Sequence, residues 1–103
     1  MVLGVYSDRK GQPGALQEQA TISSNLRAGS WNYVDVPPMP VTAGQRYWIA
    51  VLGPKGGGKI SFRDAGAGGR SKTSGRPHLT LLPARWSGAA HTAATGPVSA
   101  YGT

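Results

Sequence analysis

The segment from Gly53 to Ser61, with the sequence GPKGGGKIS, is the stretch that comes closest to a known chemical motif. A phosphate-binding loop follows the pattern GxxxxGK[ST], in which backbone N–H groups surround the phosphates, the lysine reaches their oxygens and the hydroxyl binds magnesium. Here Ile60 stands where that hydroxyl should be, and Pro54 removes one backbone N–H. The residues that follow alternate like a strand instead of starting the required helix. The sequence therefore favours a glycine-rich β-hairpin over a nucleotide site.

The groups that could act as general acids, general bases or metal ligands are few and scattered. His78 and His91 lack the HxH or HxxxH spacing of metal ligands, and no serine lies in a GxSxG turn. The chain has no cysteine, which excludes thiolate and disulfide chemistry. Two carboxylates can still meet in space as in glycosidases, although aspartate in turn-like sequence usually caps its own backbone. We predict a non-catalytic chain without cofactor or metal, whose four carboxylates lie one per segment at Asp8, Glu18, Asp35 and Asp64.

Aromatic side chains are the most suggestive candidates for ligand binding, since the chain has three Trp and four Tyr but one Phe. Most aromatics on alternating strands face the core, and that interpretation stays open for each of them. Tyr47 and Trp48 are neighbours, however, and must point to opposite faces of a strand. An exposed aromatic ring on a rigid sheet can stack on a sugar ring or a nucleic-acid base. The stacking candidates are Trp31, Trp48, Trp86 and Tyr47.

The charge balance favours anionic partners, with 11 Lys and Arg against 4 Asp and Glu and a net charge of +7. Nucleic acid, acidic glycans, a membrane surface or an acidic subunit fit that sign, while a solubilising surface charge is the alternative. No nucleic-acid-binding motif is present, so we expect weak, nonspecific and salt-sensitive contact. The candidate polyanion contacts, in or beside the glycine-rich stretch 65–75, are Arg63, Arg70, Lys72 and Arg76.

The elements that must position these residues are strands. A chain of 103 residues is long enough for one domain, and we predict one over residues 1–103. No helical apolar stripe occurs, and no apolar run approaches the roughly twenty residues of a membrane span. Prolines 37, 38 and 40 end one strand, Gly44 supplies the positive φ of a turn, and residues 7–14 and 65–75 read as loops. Alternation predicts an antiparallel β-sandwich of jelly-roll type, with strands near 2–6, 16–23, 31–36, 45–52, 58–63, 78–82 and 97–102.

The order of these segments resembles the β-sandwich accessory modules of secreted bacterial glycoside hydrolases and surface proteins. The residues that carry the resemblance are LGVYSD at 3–8, the turn at 11–14, the aromatic segments 31–37 and 41–50, and the end strand 98–102. The resemblance implies a non-catalytic module, extracellular or at the cell surface, that binds polysaccharide or a surface glycan or acts in adhesion.

Modules of that kind generally carry one or two strands before the LGVY segment, and neither those strands nor a leader is present in this chain. Their absence predicts an unpaired sheet edge at residues 2–6, which an upstream segment of the same precursor, a second copy or a neighbouring subunit completes by strand addition. A compact monomer with a short, charge-protected edge is the alternative, and the sequence leaves both open. Completion of the edge by a neighbour gives the first alternative function, a structural subunit of an extracellular assembly or filament. The second alternative is a weak binder of nucleic acid or heparin-like polyanions.

Overall fold

The computed structural model describes residues 1–22, 26–54, 71–76 and 78–92, and within these ranges it contains strands and no helix. Accordingly, no helix in the described ranges is long and apolar enough to cross a membrane. β1, β2 and β3 form an antiparallel sheet in the order β2-β1-β3, and β4 pairs with β5. The expected all-β character is confirmed for these residues. The strands are β1 Val2–Arg9, β2 Gln12–Thr21, β3 Tyr47–Leu52, β4 Lys72–Ser74 and β5 Gly88–Thr92.

The β1–β2 hairpin turns through only two residues, Lys10 and Gly11, whose φ angles are 53° and 81°. Two successive positive φ angles define the type I′ turn, whose twist matches that of paired strands. The carboxylate of Asp8 accepts a hydrogen bond from the Gly11 backbone N–H at 3.0 Å, as expected for an aspartate in a turn. The predicted loop over residues 7–14 is therefore wrong, because both strands continue up to this turn and register shifts accommodate Pro13.

β1 is the central strand of the sheet, not an edge. Val2 pairs with Thr21 of β2 on one side and with Leu52 of β3 on the other. The prediction of an unpaired edge at residues 2–6 is therefore wrong. The residues between the buried positions of β1, Leu3 and Val5, are also apolar, and apolar residues on both faces are typical of central strands.

One face of the three-stranded sheet carries the core. Val2, Tyr6 and Ala50 project from this inner face, and Leu82 packs against them from outside the sheet. Tyr6 is 0 % exposed, and its hydroxyl donates a hydrogen bond to the Pro83 carbonyl at 2.5 Å. Burial raises the pKa of the Tyr6 hydroxyl above its usual value. A buried phenol needs such a partner, so this bond fixes where the chain crosses the inner face.

The side chain of Gln19 binds the crossing chain at Leu82, one residue before Pro83. Its Oε1 accepts the Leu82 backbone N–H at 2.9 Å, and its Nε2 donates to the Leu82 carbonyl at 3.2 Å. The Leu82 side chain fills the space above Gly4, where an added Cβ would lie 2.4 Å from Leu82 Cδ1. A residue with a side chain does not fit at position 4 without movement of this chain.

Residues 82–87, called here the inner-face segment, then run beside β2. The Leu16 N–H donates to the Ala84 carbonyl at 2.8 Å, and the Trp86 N–H donates to the Gly14 carbonyl at 3.0 Å. Arg85 forms an isolated antiparallel bridge with Ala15. The predicted strand at 78–82 is wrong: the chain forms bends there, since His78 has a φ of 63°, and pairing begins only further on.

The remaining differences concern the segments between strands. The predicted strand at 31–36 is wrong, because these residues pair with no neighbouring strand in the described ranges. The Gly44 turn is confirmed with a φ of 82°. β4 lies inside the predicted loop 65–75, which is wrong at that point. The predicted strands 58–63 and 97–102 fall outside the described residues.

Candidate functional site

Trp31 and Tyr33 are exposed on one side of an extended segment that precedes β3. Trp31 is 53 % exposed and Tyr33 is 75 % exposed. Asp35 is exposed as well, whereas the residues between them, Asn32 and Val34, are half-buried. Exposed and half-buried residues thus alternate here, and Trp31, Tyr33 and Asp35 are called the exposed row. The alternation seen in the sequence is real, but its aromatic side faces outward.

Asn32 holds this row in place through its side-chain amide. Its Oδ1 accepts the Arg27 backbone N–H at 2.8 Å, and its Nδ2 donates to the Arg27 carbonyl at 3.1 Å and to the Ser30 carbonyl at 3.1 Å. Gly29 lies within this loop with a φ of 75°, a conformation that glycine adopts without strain. The amide thus closes a local loop directly beside the two exposed rings.

Trp48 and Tyr47 point to opposite faces of β3, as predicted, and each has a structural partner. Trp48 packs against the core, and its indole N–H donates to the Asp8 carboxylate at 2.8 Å. The hydroxyl of Tyr47 accepts the Thr42 backbone N–H at 2.9 Å. Both side chains are half-buried. These contacts tie β3 to the hairpin turn and to the Gly44 turn, which favours a structural role for both residues.

Trp86, the third predicted stacking tryptophan, lies between core and surface. Its ring meets Tyr6 edge to face, with centroids 5.5 Å apart and planes at 80°. It is half-buried, so part of the indole remains accessible. Because its backbone is bonded to β2 and its ring to the core, the indole is held rigidly.

The accessible part of Trp86 lines an open groove of about 550 Å³ at the hairpin end of the sheet, called here the hairpin groove. Asp8, Arg9, Lys10 and Arg85 also line it. The sequence predicts only a turn at Asp8 and the residues after it, and it does not bring Arg85 near them. The run Ser-Asp-Arg-Lys before Gly11 does indicate charged residues at this turn. It does not indicate that Arg85 bridges to β2 beside them.

Two of the four predicted polyanion contacts lie in the described part of the chain. Lys72 is half-buried in β4 and Arg76 is exposed shortly after that strand. Arg63 and Arg70 lie outside the described residues. Within the described part of the chain, no group of three or more His, Cys, Asp or Glu side chains could hold a metal ion.

Comparison with protein-family models, with curated proteins and with solved structures finds no match to this chain. The candidate binding surfaces in the described part of the chain are the exposed row and the hairpin groove.

Proposed function

We propose that this chain is a non-catalytic carbohydrate-binding or adhesion module of an extracellular or cell-surface protein. The observation that supports it is the exposed row, in which two aromatic rings project outward from a segment closed by Asn32. Large aromatic rings lose the hydrophobic free energy of burial when they stay exposed, and grouped exposed rings mark binding surfaces. We assign Trp31 and Tyr33 as the rings that stack on the apolar faces of sugar units.

Polar groups beside the rings suit the hydroxyl groups of a sugar. The Asp35 carboxylate is exposed on the same side and accepts hydrogen bonds from hydroxyls. An open row of this kind fits a polysaccharide chain that passes over the surface better than it fits a small molecule enclosed in a pocket. The ligand class of this proposal is therefore a polymer or a surface glycan.

The finer fold assignment is part of the same proposal. We assign the chain to an antiparallel β-sandwich of jelly-roll type, related to the accessory modules of secreted bacterial glycoside hydrolases and surface proteins. In support, the three-stranded sheet buries one face, and Leu82 and Trp86 pack on that face from outside the sheet. The alternative of assembly through an open edge at residues 2–6 is not favoured, because β1 is paired on both sides.

Retention on a panel of soluble and insoluble glycans tests the proposal with Trp31→Ala and Tyr33→Ala. Loss of one stacked ring is worth about 1–3 kcal/mol, so each variant should bind about fivefold to 150-fold more weakly than the unsubstituted protein. Val41→Ala is the matched control, since Val41 is an exposed apolar residue of the same segment at 70 % exposure. The proposal fails if no glycan retains the protein, or if the aromatic variants bind like the Val41 variant.

A further inference from the structure

The hairpin groove combines an aromatic wall with three cations. Arg9, Lys10 and Arg85 line it and are exposed, and Trp86 contributes the half-buried ring. All three of these cationic side chains are exposed, so their charged ends are accessible from solvent. Cations gathered around a concave surface attract an anion more strongly than the same charges dispersed over the surface.

The one carboxylate of the groove is already engaged in holding it together. Asp8 accepts the Trp48 indole N–H at Oδ1 and the Gly11 backbone N–H at Oδ2, at 2.8 Å and 3.0 Å. These bonds fix the turn that carries Arg9 and Lys10. Asp8 is thus a positioning residue for the cations and a poor acceptor for a ligand.

The opposite wall is fixed by the inner-face segment. The bridge of Arg85 to Ala15 and the bond from the Trp86 N–H to the Gly14 carbonyl hold the backbone of both residues beside β2. The Trp86 ring is further held by its edge-to-face contact with Tyr6. Both walls therefore exist before a ligand arrives, and preorganisation of this kind lowers the entropic cost of binding.

We propose that the hairpin groove binds an acidic saccharide, with Trp86 against the sugar ring and the guanidinium groups of Arg9 and Arg85 on its carboxylate or sulfate. Guanidinium groups bind carboxylate and sulfate oxygens through two parallel hydrogen bonds, which a neutral hydroxyl cannot match. A volume of about 550 Å³ accommodates a short oligosaccharide segment instead of a single small ion.

The saccharide part of this assignment rests on the proposed function, whereas its anionic part rests on the groove. A single-stranded nucleic acid would also present anions and rings, but its binding surfaces set several aromatic side chains along a basic groove. Among the described residues, the lining of the hairpin groove includes one aromatic side chain, that of Trp86.

Calorimetric titration with a short oligogalacturonate, and with the same oligomer as its uncharged methyl ester, tests the inference. The charged oligomer should bind and the ester should bind about tenfold or more weakly. Arg85→Gln and Arg9→Gln should each weaken the charged oligomer about tenfold, a change that corresponds to about 1.4 kcal/mol. Arg76→Gln removes the same charge from an exposed site that does not line the groove and should change the affinity less than twofold.

Two further arms separate the remaining outcomes. Arg85→Lys keeps the charge but loses the paired hydrogen bonds, so it should be weakened nearly as much as Arg85→Gln. The Trp86 indole N–H resonance should shift on titration with the charged oligomer in the unsubstituted protein.

The inference is overturned if the charged oligomer does not bind, if Arg76→Gln weakens it as much as Arg85→Gln, or if a single-stranded oligonucleotide binds more tightly through the same arginines. Failure of the proposed function looks different. In that case the Trp31 and Tyr33 variants retain neutral glycans as the unsubstituted protein does, while the response of Arg85 to the acidic oligomer is unaffected.

Discussion

Gly4→Ala tests whether the inner-face segment is packed as tightly as the distances indicate. The new Cβ would lie 2.4 Å from Leu82 Cδ1 and 3.0 Å from the Glu18 carbonyl oxygen. Leu82 cannot easily retreat, because it is 6 % exposed and the Gln19 amide holds its backbone N–H and C=O. Overpacking of this kind lowers the free energy of unfolding by about 1–3 kcal/mol. Alanine also lowers the conformational entropy of the unfolded chain, which offsets about 0.4–1 kcal/mol of that loss. We expect a net loss of about 1–2 kcal/mol in the free energy of unfolding.

The assay is urea denaturation followed by tryptophan fluorescence, with circular dichroism as a second probe. The midpoint should fall without a change in slope, which would mark a change in stability and not in the unfolded state. Leu82→Ala alone should cost about 2–5 kcal/mol, because it leaves a cavity in the core. In that background, however, Gly4→Ala should cost much less, since the main clash has been removed.

The double-mutant cycle therefore tests directly whether position 4 and Leu82 are in tight contact. A coupling of about 1 kcal/mol or more between Gly4→Ala and Leu82→Ala is expected for residues in contact. Gly29→Ala is the control. Its φ of 75° means that alanine strains the backbone there, but the added Cβ has no atom within 4 Å and so touches no side chain. Its effect should simply add to that of Leu82→Ala. If the Gly4 and Leu82 substitutions are also additive, the packing argument is refuted.

Three other substitutions probe the same architecture and the exposed row. Tyr6→Phe should lose about 1 kcal/mol, because the Pro83 carbonyl loses its donor. Burial raises the pKa of Tyr6 in the folded protein above its unfolded value of about 10, so the unfolded tyrosine loses its proton first. The free energy of unfolding should therefore fall as pH rises through the folded pKa. Chemical denaturation across alkaline pH should show that this decrease is absent from Tyr6→Phe. Gln19→Leu should expose the Leu82 amide to hydrogen exchange and cost about 1–3 kcal/mol, and unchanged protection of that amide would contradict the described bonds. Asn32→Asp removes both amide donors of a half-buried side chain, so it should lower glycan retention and cost about 0.5–1.5 kcal/mol of stability. Equal retention would show that the amide does not organise the row.

The sequence predicted the strands whose alternation coincides with a true sheet, and β1 and β3 are the clearest cases. It failed at residues 31–36 for a physical reason, since an extended segment shows the same alternation whether or not a ladder partner exists. At the first turn, the Pro13-Gly14 pair suggested a break, but the turn is formed by Lys10 in a left-handed conformation that lysine rarely adopts. Nothing in the local sequence signals that choice.

The candidate site was predictable only in part. Trp31 and Tyr33 were recognisable as members of one alternating row, but the side of the row that faces outward depends on packing that the sequence does not encode locally. The hairpin groove was out of reach, because Arg85 joins Arg9 only through the bridge to β2, and residues far apart in the chain meet there. The cations that lie close together in the sequence are instead those in and beside the glycine-rich stretch 65–75.

The central position of β1 has a consequence for the order in which the sheet assembles. Its partner β2 follows after two residues, so that hairpin closes at small entropic cost and can form within microseconds. β3 begins only at Tyr47, and pairing Val2 with Leu52 requires closure of the whole intervening chain. Non-local pairing of this kind slows folding, and we expect it to be the later step. Loop-closure entropy grows only logarithmically with length, with about 0.6 kcal/mol for each doubling. The connection that carries the exposed row can therefore change in length during evolution, and with it the spacing of the exposed rings, while the three-stranded sheet stays the same.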